Sequence, residues 1–264
     1  MTRTRNGLTL PLQCDAIIFD VDGVLIDDSA SYSATIKAAV HHIVHVMHRR
    51  PEHLCQVEDE DIRAFKIAGG FNDDWVLSYA LAGILLAWPE HTRPDLSRIA
   101  RESAGRGLDW VQSQYFPHLA LDFPQVRQIC LEYFWGEDLL AERMSLPAVY
   151  YRGPGFVQRE RALVPAGFLQ RLTSAGVRRF GIITGRDHIE LEMALETLGW
   201  DAGAFDSIVT AEHVRKPDPR ALHIAMEALQ PHLALYIGDT GDDRQMMENY
   251  RRQYPHGPAC LFAM

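Results

Sequence analysis

The sequence predicts an α/β protein: a doubly wound parallel sheet with a separate all-helical domain inserted into it. Three observations carry that prediction. Residues 17–22 form an apolar run that ends in two carboxylates, Asp20 and Asp22, the pattern of a buried strand with a polar tip. From Val164 onward, short apolar strands alternate with amphipathic helices, which is the texture of a parallel sheet covered on both faces. Between these, from Ser29 to about Tyr151, helical periods appear almost alone.

The elements follow in order. The strand over 17–22 leads into Gly23, where the chain turns and brings Asp20 and Asp22 onto one small volume. Helical periods then cover 32–49, 59–67, 72–88, 94–104 and 124–135. The apolar stretch 75–88 is too short to span a bilayer, which takes about 20 residues, and reads as a buried helix. Trp75, Trp88, Trp110 and Trp135 read as core anchors of this helical domain. A helix over 166–175, a strand over 179–183, a helix over 188–198 and a strand over 207–210 come next. A helix over 219–229, a strand over 233–237 and a helix over 243–251 complete the pattern. The expected division is therefore a Rossmann-like core, 1–28 plus 160–264, and a helical cap, 29–159. Asp27-Asp28-Ser29 would lead out of the core and the Gly153-Pro154-Gly155 turn would lead back. Because the insertion follows the first strand so closely, it is expected to stand over that strand's carboxyl edge.

Composition narrows the function. The 264 residues are 47% hydrophobic and 23% charged, ordinary for a globular protein with a full core. A formal net charge of −9 argues against a general binder of nucleic acid or anionic membrane. The first residues carry Arg3 and Arg5 without a continuous apolar stretch, so no secretory signal is expected. Cys14, Cys55, Cys130 and Cys260 lack any paired spacing, which predicts free thiols in a reducing, cytoplasmic setting. A monomer or homodimer is expected.

Three more clusters fall at strand ends. In Ile183-Thr184-Gly185-Arg186 a hydroxyl and an approachable backbone precede a helix, which suits an anion. In Arg215-Lys216-Pro217-Asp218-Pro219 a lysine is held between rigid flanks. In Gly238-Asp239-Thr240-Gly241-Asp242-Asp243 a strand again ends in carboxylates. So many acids at one edge need neutralising. Oxygen donors without His or Cys suit a hard cation such as Mg²⁺, with substrate phosphate completing its shell. The chemistry this permits is phosphoryl transfer. Gly23 and Val24, which fall where a calcium loop needs ligands, and the buried strand before them argue against such a loop at 20–24.

These four clusters, in this order, resemble the motifs of the haloacid dehalogenase superfamily, and the insertion resembles the cap of its phosphoglycolate-phosphatase and phosphoglucomutase branch. The resemblance implies a Mg²⁺-dependent phosphatase acting on a small phosphorylated metabolite through an aspartyl-phosphate. It implies Asp20 as nucleophile and Asp22 as general acid and base. Thr184 and Gly185 would hold the phosphoryl group, and Lys216 would steady nucleophile and phosphate. Asp20, Asp239 and the backbone carbonyl of Asp22 would ligate Mg²⁺. Asp243 would support the metal through water or orient Lys216, a role Asp242 could share. Val24, where many phosphatases of the family carry threonine, leans towards the alternative of a sugar-phosphate mutase. A non-catalytic metabolite binder that keeps the fold is the third reading.

Three features stand outside those motifs. His41, His45 and His48 share a helical face, yet the same helix carries an apolar stripe and no supporting acid. They read as partly exposed histidines. The stretch Lys66 to Trp75 reads either as a helix end followed by an Asn72 cap or as a loop in which Lys66 and Asn72 contact the substrate's leaving group. Arg186 is expected either to reach a second anionic group of the substrate or to lie on the solvent face of the next helix.

Overall fold

The computed structural model describes residues 14–71 and 73–264. The chain forms two compact units: one ends at Asp27 and resumes over Arg161–Met264, the other is Asp28–Glu160. In chain order, the core begins with β1 (Ala16–Phe19) and the two-residue β2 (Ile26–Asp27). The helical unit contributes α1 (Ala34–His41), α2 (Asp59–Ala68), α3 (Asp74–Ala87), α4 (Leu96–Glu102), α5 (Gly107–Tyr115) and α6 (Phe123–Met144). The core then continues with β3 (Arg161–Ala162), α7 (Phe168–Ser174), β4 (Arg179–Ile183), α8 (His188–Leu198) and β5 (Ser207–Val209). It ends with α9 (Arg220–Leu229), β6 (Leu233–Ile237), α10 (Gly241–Gln253) and β7 (Ala259–Ala263).

The core sheet has the order β5-β4-β1-β6-β7, every pair parallel. β1 is flanked on both sides, with Phe19 in register with Ile182 of β4 and Ile237 of β6. A strand with no edge and both faces covered has no place for a polar residue, which explains its uninterrupted apolar run. Alternation assigns the two faces. Ile17 and Phe19 pack with Leu169 and Leu172 of α7 and Leu191 and Leu195 of α8. Ala16 and Ile18 pack with Leu222 and Met226 of α9 and with Met246 and Met247 of α10. The chain moves outward from β1 to β4 and β5, then crosses back to β6 and β7. The strand order thus reverses beside β1, and the carboxyl ends of β4, β1 and β6 surround the crevice where open α/β sheets bind ligands. Separately, β2 and β3 pair antiparallel, Ile26 with Ala162 and Asp27 with Arg161.

The helical unit has its own interior. α3 is apolar almost all round and buried from Leu77 to Leu86, as an all-round hydrophobic helix must be. Tyr32, Trp75 and Phe134 cluster in tilted and edge-on contacts, with ring centroids 4.4–5.7 Å apart. Glu132 of α6 is fully buried and accepts the N–H groups of Val149, Tyr150 and Tyr151 at 2.9, 2.5 and 2.7 Å. Those donors replace the water its carboxylate loses.

Some expectations need correction. The helix expected over 32–49 is α-helical only at Ala34–His41 and continues as π-helical turns over His42–Met47; apolar spacing does not distinguish the two windings. The helix expected over 124–135 extends to Met144 across a break at Gly136. α5 and β7 escape the sequence pattern because one is short and largely polar and the other buries only Cys260 of its five residues. Trp75 and Trp135 are core anchors, whereas Trp88 and Trp110 are only half-buried. His42 meets the Tyr133 hydroxyl at 3.1 Å and His45 the Arg50 carbonyl at 2.8 Å. All four cysteines are free and buried. Among the described residues, no helix is long and apolar enough to cross a membrane.

Candidate active site

β1 hands the chain to Asp20, whose N–H still donates to the Ile237 carbonyl at 2.8 Å. That bond fixes the Asp20 backbone at the sheet's edge. Its side chain is buried, with Oδ1 accepting from the Val21 N–H at 2.8 Å and Oδ2 lying 2.8 Å from Lys216 Nζ. Lys216 reaches the same spot from the loop after β5, through a cis peptide to Pro217. Its Nζ lies 2.7 Å from Asp243 Oδ1, so one ammonium bridges two carboxylates.

Asp243 occupies the first turn of α10 for a local reason. Thr240 caps that helix, Asp243 returns the bond to the Thr240 N–H at 3.0 Å, and the Thr240 hydroxyl donates to Asp243 Oδ2 at 2.7 Å. Asp243 Oδ1 also accepts from the Tyr236 hydroxyl of β6. Sequence reasoning assigned Tyr236 no role. The available signal was a tyrosine buried in a parallel strand, whose hydroxyl must find a partner.

The charges follow from these contacts. Burial raises the Asp20 carboxyl well above its ordinary range; Lys216 opposes this, and Asp243, Asp239 and Asp22 add to it. Burial would lower Lys216, but Asp20 and Asp243 outweigh it and hold the ammonium protonated. Burial would likewise raise Asp243, yet Lys216, Tyr236 and Thr240 keep it below the usual carboxylate value. Tyr236 is pushed up by burial and by Asp243, so its hydroxyl stays a donor.

Asp22 has a different partner. Arg186 Nε lies 3.1 and 3.2 Å from its two carboxylate oxygens, and Nη2 lies 2.6 Å from Oδ1. The arginine is 1% exposed, so of its two expected positions the one on the solvent face of the following helix is not adopted. Its Nη1 donates to the Glu190 carbonyl at 3.0 Å. Thr184, at the end of β4, is buried, and its hydroxyl oxygen accepts the Arg186 N–H at 3.1 Å. The hydroxyl hydrogen is thereby left to donate, beside Gly185.

Asp239 is the exposed acid of the group. Gly23, at φ +69°, makes its approach possible: a Cβ there would lie 2.1 Å from Asp239 Oδ2. Gly238 does the same for Asp243, whose Cγ would meet a Cβ at 2.5 Å. Asp20, Asp239 and Asp243 each bring one carboxylate oxygen within 4.8 Å of the others, a set able to hold a metal ion. Four carboxylates and two cations thus share one strand edge.

Lys66, by contrast, belongs to the helical unit, where its Nζ lies 3.3 Å from Asp28 and 3.2 Å from Asp74. Asn72 lies outside the described residues.

The sequence profile of the haloacid dehalogenase-like hydrolases matches residues 14–250. The chain belongs to that family. Among solved structures, the hydrolase is similar to phosphatase Tt82 from Thermococcus thioreducens, at 29% identity over 94% of this chain and 92% of that one, with a TM-score of 0.64. It also matches imidazoleglycerol-phosphate dehydratase from Phytophthora nicotianae at 25% identity over 235 residues, 86% of this chain. That match spans 40% of the dehydratase.

Proposed function

We propose that this hydrolase is a Mg²⁺-dependent phosphatase for a small phosphorylated metabolite. The observation that carries the reading is the division of the two strand-end acids: Asp20 is paired with Lys216 in a buried pocket, while Asp22 is paired with Arg186. Acids with separate partners suit separate tasks. Asp20 attacks phosphorus in line, the ester P–O bond breaks, and Asp22 gives its proton to the leaving oxygen. Asp22 then takes a proton from the water that attacks the aspartyl-phosphate, releasing inorganic phosphate and restoring Asp20. Lys216, the Thr184 hydroxyl and the backbone at Gly185 stabilise the phosphoryl oxygens.

The oxygen-only donor set fits a hard cation. Asp20 and Asp239 would hold Mg²⁺ together with the Asp22 carbonyl, and Asp243, already engaged by Lys216, Tyr236 and Thr240, would support it indirectly. Bound there, the ion would neutralise charge on the transferring phosphoryl group. Four buried free thiols agree with a reducing, cytoplasmic setting. The likeness to phosphatase Tt82 across nearly the whole chain supports the same reading.

Phosphate release from p-nitrophenyl phosphate and a panel of phosphorylated metabolites tests it. Turnover should require Mg²⁺, stop with chelator and vanish in Asp20→Asn. A folded protein that releases phosphate from none of them with Mg²⁺ present overturns the reading.

A further inference from the structure

A buried guanidinium is costly unless its geometry is well satisfied, and Arg186 is 1% exposed. Every part of it that has a described partner ties it to the site. Its N–H holds the Thr184 hydroxyl, its carbonyl accepts from the Ala211 N–H at 3.0 Å, and Nη1 is pinned on the Glu190 carbonyl in the first turn of α8. Nε and Nη2 both reach Asp22. The guanidinium is planar and permanently charged, so this fork sets the plane of the carboxylate as well as its place.

We propose that Arg186 is a positioning residue that aims the Asp22 carboxylate for proton transfer to the leaving group. The inference rests on the phosphatase reading above and extends it to a residue outside the reacting atoms. The contacts are unequal. Asp22 Oδ1 takes two of them, at 3.1 and 2.6 Å, and Oδ2 takes one, at 3.2 Å. Oδ2 is the oxygen less committed to the fork, and the proton transfer is assigned to it. When the ester P–O bond breaks, that proton passes from Oδ2 to the leaving oxygen, and the carboxylate left behind remains seated on Arg186. In the second half-reaction the same oxygen takes a proton from water. Through its backbone, Arg186 also links this carboxylate to Thr184, so phosphate-holding hydroxyl and proton carrier are aligned by one residue.

The test exploits the leaving group. A general acid matters for an alkyl phosphate and little for 2,4-dinitrophenyl phosphate, whose leaving group departs without a proton. In Arg186→Met, single-turnover cleavage of an alkyl phosphate should fall about 100-fold, within the usual span for a displaced general acid. The first equivalent of dinitrophenol should appear at close to the wild-type rate. Arg186→Lys should recover part of the alkyl phosphate loss, and Asp22→Asn should show the same leaving-group dependence. Equal losses on both substrates would mean that Arg186 is structural, and no loss on either would mean that the fork is dispensable; each overturns the proposal. If Arg186→Met fails to fold, Arg186→Lys and Arg186→Gln carry the same comparison. Failure of the wild-type protein to cleave either substrate is a separate result, striking the phosphatase reading beneath.

Discussion

Lys216 is the residue whose loss should do most harm. Removing the ammonium leaves Asp20 and Asp243 buried and facing each other, and breaking a buried ion pair from one side costs about 3–5 kcal/mol. Lys216→Met should therefore abolish turnover and also lower the midpoint of thermal unfolding sharply. Tyr236→Phe is gentler: it removes one donor from Asp243 and leaves Lys216 and Thr240 in place. A loss of about 1.5–3 kcal/mol is expected in urea unfolding, the range for a hydrogen bond to a charged group. Glu190 supplies a pH test. Burial and the neighbouring Asp187 raise its carboxyl to about 8, against the opposing pull of Arg186. The folded state therefore holds a proton that the unfolded chain releases near its ordinary value. Stability from this group is complete at low pH and is lost as pH rises towards about 8, by at most about 1.4 kcal/mol per pH unit. Glu190→Gln should flatten that decline, read as thermal midpoints between pH 5 and 9. That Asp20, Lys216 and Asp239 gather beyond the carboxyl end of β1, with Thr184 ending the neighbouring β4, was legible in the sequence, because each ends or follows a strand. The partners of Tyr236 and Arg186 were not: Arg186 meets Asp22 across 164 residues of chain, and only the packed sheet brings such groups together.

The turn after β1 shows how an element's shape becomes part of the chemistry. Gly23 adopts φ +69°, and a side chain there would strike Asp239 as well as strain the backbone. Gly23→Ala should cost about 1–2 kcal/mol from the left-handed conformation and push Asp239 away from its neighbours. The expected readout is a higher Mg²⁺ concentration for half-maximal turnover, with far-UV circular dichroism unchanged. An unaltered Mg²⁺ dependence would separate Asp239 from the metal. Elements with strong periodicity were legible: β4, β6, α3 and α9 fall within two residues of the ranges that their apolar spacing predicts. α5 was not, since its sequence, GLDWVQSQY, offers only Gly107 and Val111 as fully buried positions. Nor was the break in α6 at Gly136, where helical spacing continues on both sides of a non-helical residue.

The two units differ in how they are tied to their sequence. The core depends on contacts between segments far apart in the chain, with β1 pairing to β4 and β6, so its topology is readable only from the alternation of strands and helices. The helical unit is one continuous segment, Asp28–Glu160, whose interior joins helices that are not neighbours in sequence, as Tyr32 against Phe134 shows. Its ends are set by the small β2–β3 ladder, in which Ile26 faces Ala162 and Asp27 faces Arg161, extended by the Leu163 N–H on the Leu25 carbonyl at 2.8 Å. Antiparallel partners sit only about 5 Å apart. Topologically, the whole helical unit is thus the loop of a β-hairpin, one that has acquired a core of its own. A four-residue turn spliced between Asp27 and Arg161 would satisfy the same stub. The resulting mini-protein should unfold in one cooperative thermal transition, and a non-cooperative melt would show that the core leans on its insertion. The doorway accepts whatever chain returns to it in register, so the fold can exchange what it carries there while β1 and its carboxylates stay where they are.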